Sequence, residues 1–261
     1  AEYAPFAKTG GLGDVAAALT RYLTRRCHDL RVFVPLHGQM ELAGIDRHPV
    51  DFLTDLPLRV GAHEFRYSVQ TARVPDTGLW IYLIDCPTLF DRPRIYSDAP
   101  DEHVRYLALT RAAFECCQRM AFALSQILVT SGLDVNVAYG MATYQQIFLD
   151  NAFGNYEDIL VKVTKSSVMG DYLSMVNNDK PVPGVNPNEN YAREVLQLFS
   201  VGLNLLNDDG TEKKGTDGKS IEAYTQEEIE GFAHVFTGWT YPTRAGVAPN
   251  PNRFNGQNLA G

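Results

Sequence analysis

The stretch KTGGLGDVAAAL begins at Lys8 and sets three glycines and an aspartate between a lysine and an apolar helical pattern. Gly10 and Gly11 lack a Cβ, so their backbone N–H groups can face a ligand at close range. A helix starting just after them would add the positive end of its dipole. Lys8 adds a full charge. Residue types in this order suit an anion, and a diphosphate leaving group better than a neutral ligand. Two other chemistries fit less well. GLGDVA, from Gly11 to Ala16, matches the dinucleotide fingerprint G-x-G-x-x-A. That fingerprint needs a clean strand before it and an acidic residue closing the next strand. AEYAPFAKT is short and holds Pro5, and the following strand closes in VPL without a carboxylate. A Walker loop needs its lysine after the glycines, and Lys8 precedes them. A tight turn holding no ligand stays open as the alternative.

Several elements must position this loop. Asp14 to about Arg26 reads as a helix with Val15, Leu19 and Leu23 on one face. LRVFVPL reads as a buried strand ended by Pro35. HEFRYSVQTARV and LWIYLIDCP read as two more strands joined by a PDTG turn. A long helix begins at DEHVRYLALTRAAFE. Loop, helix, strand and then further strands and a helix point to an α/β layer on a mainly parallel sheet.

The 261 residues suffice for one large domain or two small ones. A net charge of −8 gives no basic footprint for nucleic acid. No apolar run reaches the length of a membrane span, and no leader segment is visible, with Lys8 and the glycines interrupting the N-terminal stretch. Cys27, Cys86, Cys116 and Cys117 form no CxxC pair and read as buried, reduced, small apolar side chains. His28, His37, His48, His63 and His103 share no spacing and read as surface or satisfied core residues.

EYAPFAKTGGLGDVAAAL, followed in order by RVFVPLHGQM, WIYLIDCPTLFDR, IYSD and DEHVRYLALTRAAFECCQRM, closely resembles the N-terminal part of bacterial glycogen synthases and plant starch synthases. These are retaining glucosyltransferases with two facing Rossmann-like domains. The resemblance covers residues 1–120. It implies ADP-glucose and an α-1,4-glucan as partners, no cofactor, no metal and a cytoplasmic location for this part. Lys8 then matches the lysine that contacts the nucleotide sugar, and Gly10 and Gly11 match the glycines near the reacting phosphate. Tyr96 of IYSD matches an aromatic near the sugar. Asp14 matches the acidic residue at the helix start and is the one catalytic candidate; it also reads as a plain N-terminal helix charge. Tyr96 reads equally as a packing residue. The family's P-D-hydrophobic-hydrophobic-H-x-H-D-W segment, its second lysine-glycine loop and its first strand are expected to be missing. Whether the chain is an enzyme is therefore left open, because most of that active site lies elsewhere.

Beyond residue 120 the pattern changes. SQILVTSG, VAYGMATYQQIFLDNAFG and NYEDILVKVTKSSVMGDYLSM read as successive helices. NENYAREVLQLFSVGL reads as an amphipathic helix with Tyr191, Val195, Leu198 and Gly202 on one stripe. NDDGTEKKGTDGKSIEAY reads as a hairpin-like excursion, without the acidic spacing of a calcium-binding loop. TQEE, Thr225 to Glu228, is a capping box. Glu189, Arg193, Glu194, His234 and Trp239 are the polar and aromatic residues of interest. Arg193 and Glu189 read as an i,i+4 pair and His234 as structural, so no active site is assigned there. RMAFALSQILV, AFGNYEDILVKVT, MGDYLSM, NPNENYAREVLQLFSVGL and YTQEEIEGFAHVFTGW resemble a bacterial family known as domain of unknown function 1800, over residues 119–242. Its members are often thought to be exported.

Composition changes at the same place. Residues 1–120 hold no asparagine and all four cysteines, whereas residues 121–261 hold 14 asparagines. Net charge is −1 before the change (14 basic, 15 acidic) and −7 after it (9 basic, 16 acidic). Both resemblances fit RMAFA, so the chain reads as a chimera joined near Arg119–Leu124. The expected fold class is α/β, a partial Rossmann-like half of a two-domain glycosyltransferase over residues 1–120, followed by a mostly α-helical segment over 121–261. The runner-up reading is an uncharacterised helical bacterial protein whose N-terminal part is a fusion or assembly artefact.

Overall fold

The computed structural model describes residues 1–26, 30–40, 45–75 and 77–241. Cys27, His28 and part of the PDTG turn lie outside them, as does everything after Tyr241. The chain divides into two compact units, Ala1–Arg119 and Met120–Gly261.

The first unit opens with helix α1 (Gly11–Arg25), then strands β1 (Val32–Pro35), β2 (Arg47–Pro49), β3 (Leu56–Val60), β4 (His63–Arg73) and β5 (Trp80–Asp85). Helices α2 (Pro87–Phe90) and α3 (Glu102–Ile127) follow. The sheet order is β1-β5-β4-β2, with β3 pairing β4. Among the described residues only β1 and β5 run parallel; β5–β4, β2–β4 and β3–β4 are antiparallel. The sheet is thus mixed where the sequence pointed to a mainly parallel one. Short connections explain it: β3, β4 and β5 are joined by turns too short for a crossover, and turns of that length force antiparallel pairing. Gly61 (φ +61°) and Gly78 (φ +66°) take the left-handed conformations of these turns. β1 stands at the edge, with β5 as its strand partner among the described residues.

The unit's core gathers Tyr3, Phe6, Ala17, Val34, Ile81 and Leu83. Helix α1 meets it through its small residues, Gly13 and Ala17. The Thr20 hydroxyl lies 2.7 Å from the Tyr3 hydroxyl on that same side. Val15 (62% exposed) and Leu19 (54%) face outward with Leu12 and Tyr22. Periodicity puts Val15, Leu19 and Leu23 on one face, but the face the unit covers is that of Gly13 and Ala17, and Leu23 is half-buried. Small side chains let a helix axis come closer to a sheet, and that close approach decides the orientation. Cys86 and Cys116 are buried and Cys117 is half-buried, all three free, and burial pushes their thiols up.

The second unit continues with helices α4 (Ala138–Asp150), α5 (Tyr156–Thr164), α6 (Ser167–Tyr172), α7 (Asn190–Gln197) and α8 (Gln226–Val235). Its core includes Tyr144, Phe148, Val163, Met169, Tyr191 and Phe236. The segment expected as one helix from Asn155 is two, because the chain restarts at Ser166, the N-cap of α6. The Ser125–Ile127 stretch belongs to the end of α3. On α7, Tyr191 and Val195 are buried as expected, but Leu198 is 57% exposed and Gly202 lies past the helix at φ +80°. The Thr225 capping box is present, with Glu228 N donating to Thr225 Oγ1 at 3.3 Å and Thr225 N to the Glu228 carboxylate at 2.6 Å.

The Asp-Gly excursion is more than a hairpin. Leu205 N donates to Ile221 O, Ile221 N to Lys213 O and Lys213 N to Leu205 O, at 2.8–3.0 Å. Three short antiparallel stretches therefore pair in a closed ring. Gly210 (φ +82°) and Gly218 (φ +79°) make the two tight returns.

Candidate functional site

The loop before α1 is organised by a residue that the sequence did not single out. Glu2 is buried, at 7% exposure. Its carboxylate accepts from the Thr9 hydroxyl, from Gly10 N at 3.2 Å and from Gly13 N at 3.3 Å. The first N–H groups of a helix have no partner within it, and Gly10, the N-cap of α1, offers no side chain. Glu2 supplies the missing acceptor from the preceding segment and places negative charge at the positive helix end. Burial pushes its carboxyl upward, but the bonds from Thr9, Gly10 and Gly13 outweigh that and hold it down to about 2. The sequence signal was faint: one glutamate inside the apolar run AEYAPFA, eight residues before Gly10.

Gly13 is the glycine that packing demands. A Cβ there would meet Ala7 O at 3.2 Å and Glu2 Oε2 at 3.3 Å. Gly10 and Gly11 differ, with nothing within 4 Å of an added Cβ. Both have open space above the backbone, which is the condition for a ligand to approach. Lys8 stands at the rim, its Nζ 2.7 Å from Asp14 Oδ2, with both side chains about half exposed. Tyr96 is 40% exposed and packs at a tilt against Tyr106, ring centroids 6.2 Å apart. Burial, then the Glu2 carboxylate, push the Tyr96 hydroxyl up. Glu2 is therefore the hub: it bonds the glycine loop directly and has Tyr96 beside it. Lys8, Gly10, Gly11 and Asp14 are contiguous around the start of α1. With both carboxylates ionised, the charges of Lys8, Asp14 and Glu2 sum to −1.

The histidines serve elsewhere. His37 is buried, its Nε2 3.1 Å from Ala1 O, with its ring edge-on to Phe90. His48 pairs with Asp46, and His63 stacks on Phe65.

In the second unit, Arg193 and Glu189 pair at 2.8 Å, as their spacing predicted. Gln226 joins both, which ties α7 to the start of α8. His234 Nδ1 donates to Glu230 O at 2.6 Å, and Trp239 Nε1 to Val235 O at 3.4 Å. Both rings bond carbonyls of α8, His234 from within the helix and Trp239 from the segment after it. Among the described residues, no group of three His, Cys, Asp or Glu side chains could hold a metal, and no helix is long and apolar enough to cross a membrane.

Comparison with known proteins yields two family matches. The starch synthase catalytic domain matches residues 1–135, and a protein family of unknown function, DUF1800, matches residues 82–259. Glycogen synthase from Aeromonas hydrophila is 34% identical over 122 residues, which is 44% of this chain and 24% of that protein. Glycogen synthase from Dechloromonas aromatica is 38% identical over 118 residues, 43% of this chain and 23% of that protein. The chain thus spans about a quarter of the length of these relatives. Among solved structures, the catalytic domain of Starch Synthase IV from Arabidopsis thaliana, bound to ADP and acarbose, is 29% identical with a TM-score of 0.41, covering 46% of this chain and 24% of that one.

Proposed function

We propose a function for a chain that belongs to the starch synthase catalytic domain family through residues 1–135 and to the family of unknown function DUF1800 through residues 82–259. Residues 1–120 form one wall of an ADP-glucose-dependent α-1,4-glucan glucosyltransferase, and the chain by itself does not complete the transfer. Lys8 takes the diphosphate, Gly10 and Gly11 let it approach the backbone, and Tyr96 lies towards the sugar. Asp14 is the candidate catalytic carboxylate. The observation that carries this reading is the open space over Gly10 and Gly11 beside a lysine at the start of a helix. The main electrostatic task in such chemistry is to stabilise the departing diphosphate. The loop begins that task poorly, because Asp14 already matches the charge of Lys8 and Glu2 takes Gly10 N–H. The setting of this part is the cytoplasm.

Isothermal titration of ADP-glucose into the chain, with Lys8→Ala as control, tests the reading. The expected dissociation constant is weaker than about 1 mM, with no glucose passed to glycogen. Turnover, or tight binding that survives Lys8→Ala, would overturn it.

A second reading has its own observation. The compact units divide between Arg119 and Met120, inside continuous helix α3, after the last cysteine, Cys117, and ahead of the first asparagine, Asn136. Domain boundaries normally fall in exposed linkers. On this reading residues 121–261 are a helical module of an uncharacterised bacterial family, and the N-terminal part is a fusion or assembly artefact. Detection of a native peptide crossing residues 115–130 by mass spectrometry of the source organism would rule out the artefact.

A further inference from the structure

The second unit holds a cleft of about 470 Å³ that neither the helix packing nor the glycine loop explains. Its volume falls within the range of small-molecule sites. Three segments build it: the end of α6, the turn after it, and the stretch Val185–Asn188. Tyr241 closes one side.

The walls are held in place by bonds that leave them little freedom. Asn178 is buried, at 6% exposure, and clamps Asn188 twice, donating to its carbonyl at 3.1 Å and accepting from its N–H at 2.7 Å. Asn177 N donates to Trp239 O at 2.7 Å, and Gly238 N to Asn178 O at 2.8 Å. Tyr241 donates to Asp171 at 2.9 Å. Ser174 (φ +57°) and Asn177 (φ +59°) both take the left-handed conformation that residues with side chains rarely adopt. Gly170 cannot be larger, since a Cβ would come within 2.7 Å of Val176 Cγ2.

The lining selects the ligand. Among the described residues it carries two carboxylates, Asp171 and Asp179, and no lysine, arginine or histidine. That balance disfavours a phosphate or any other anion. A hard metal ion wants six to eight oxygen ligands, usually with several carboxylates among them, and no group of three His, Cys, Asp or Glu side chains that could hold one is present among the described residues. Four asparagines line the same space. An amide offers donors and an acceptor together; Asn178 spends both on Asn188, whereas Asn186 carries the pair at the exposed rim. A cation would use only the acceptors, whereas a hydroxyl both donates and accepts. We propose that this cleft binds a neutral polyhydroxylated ligand, a short oligosaccharide segment, independently of the nucleotide-sugar reading of residues 1–120.

Saturation-transfer NMR on the full chain tests this with maltotriose, cellotriose and triacetylchitotriose. At least one should bind saturably. Asn186→Ala, at an exposed position on the rim, and Asp171→Asn should each weaken that binding tenfold or more. Asn186→Ala should leave the thermal midpoint unchanged, so it decides the matter alone if Asp171→Asn does not fold. Lys8→Ala identifies sugar held at the glycine loop. The proposal is overturned if none of the three sugars binds, if binding survives both cleft substitutions, or if Lys8→Ala abolishes it. Binding of calcium or spermidine at the cleft with no sugar bound would overturn it as well.

Discussion

Lys8 Nζ sits 2.7 Å from Asp14 Oδ2, joining the residue before the glycine loop to the first turn of α1. An exposed pair of this kind contributes about 0–1 kcal/mol to stability. Its larger effect is on charge. The cation that would greet a diphosphate is already matched before any ligand arrives.

Asp14→Asn should therefore tighten binding of ADP by up to about fivefold, the equivalent of about 1 kcal/mol. Stability should change by less than that amount. Titration calorimetry beside thermal unfolding separates the two effects. Unaltered ADP affinity would mean that the pair does not compete with the ligand.

Glu2 gives a pH dependence with a definite sign. Its carboxyl is held down to about 2 against an ordinary value of 4.5. The ionised form is favoured by folding, so this contribution is complete above pH 4.5 and is lost as pH falls towards 2. Glu2→Gln should lower the stability of the first unit by about 2 kcal/mol, as expected for losing charge-assisted hydrogen bonds. It should also flatten the acid limb of the stability curve between those pH values. Denaturant titrations at pH 7, 4 and 3 would show both effects.

The glycines should divide by role. Gly13→Ala forces a Cβ against Ala7 O and Glu2, at a cost of about 1–3 kcal/mol. Gly11→Ala meets open space and should be neutral, or stabilising by about 0.5 kcal/mol. It should nevertheless weaken whatever ADP-glucose binding the chain retains. Equal destabilisation by both changes would remove the case for an open ligand face.

In the second unit, Thr225→Ala removes the hydroxyl that accepts from Glu228 N and leaves the backbone N–H bond to the Glu228 carboxylate in place. The expected loss is about 1 kcal/mol, seen as a lower urea midpoint with an unchanged slope.

Local rules read well from the sequence. The Thr225 box and the Glu189–Arg193 pair each depend on residues within four positions, and both are present. The loop and helix around Lys8, Gly10 and Gly11 were equally legible, because glycine, lysine and a helix start are neighbours in the chain. What was missed depends on contacts made in three dimensions. Glu2 became the centre of the loop only when the chain folded back to bring it under Gly10 and Gly13. Val15 and Leu19 share a face, yet periodicity does not say which face a sheet will cover. The cleft beside Asn178 arises where residues 62 apart meet (239 − 177), as in Asn177 N to Trp239 O, and no local pattern announces it.

The closed ring at Leu205, Lys213 and Ile221 has one more consequence. At Leu205, Lys213 and Ile221 the backbone N–H and C=O are all bonded within the ring, so that inner row is closed to a strand from another molecule. Edge-to-edge growth between copies of a protein begins where backbone groups stand unpaired. Exposed Leu203, Leu205 and Leu206 make the surface around the ring apolar. In the first unit's sheet that hazard rests with the outer strands among the described residues, β1 on one side and β2 on the other, and a storage or crystallisation strategy for this chain should guard those edges first.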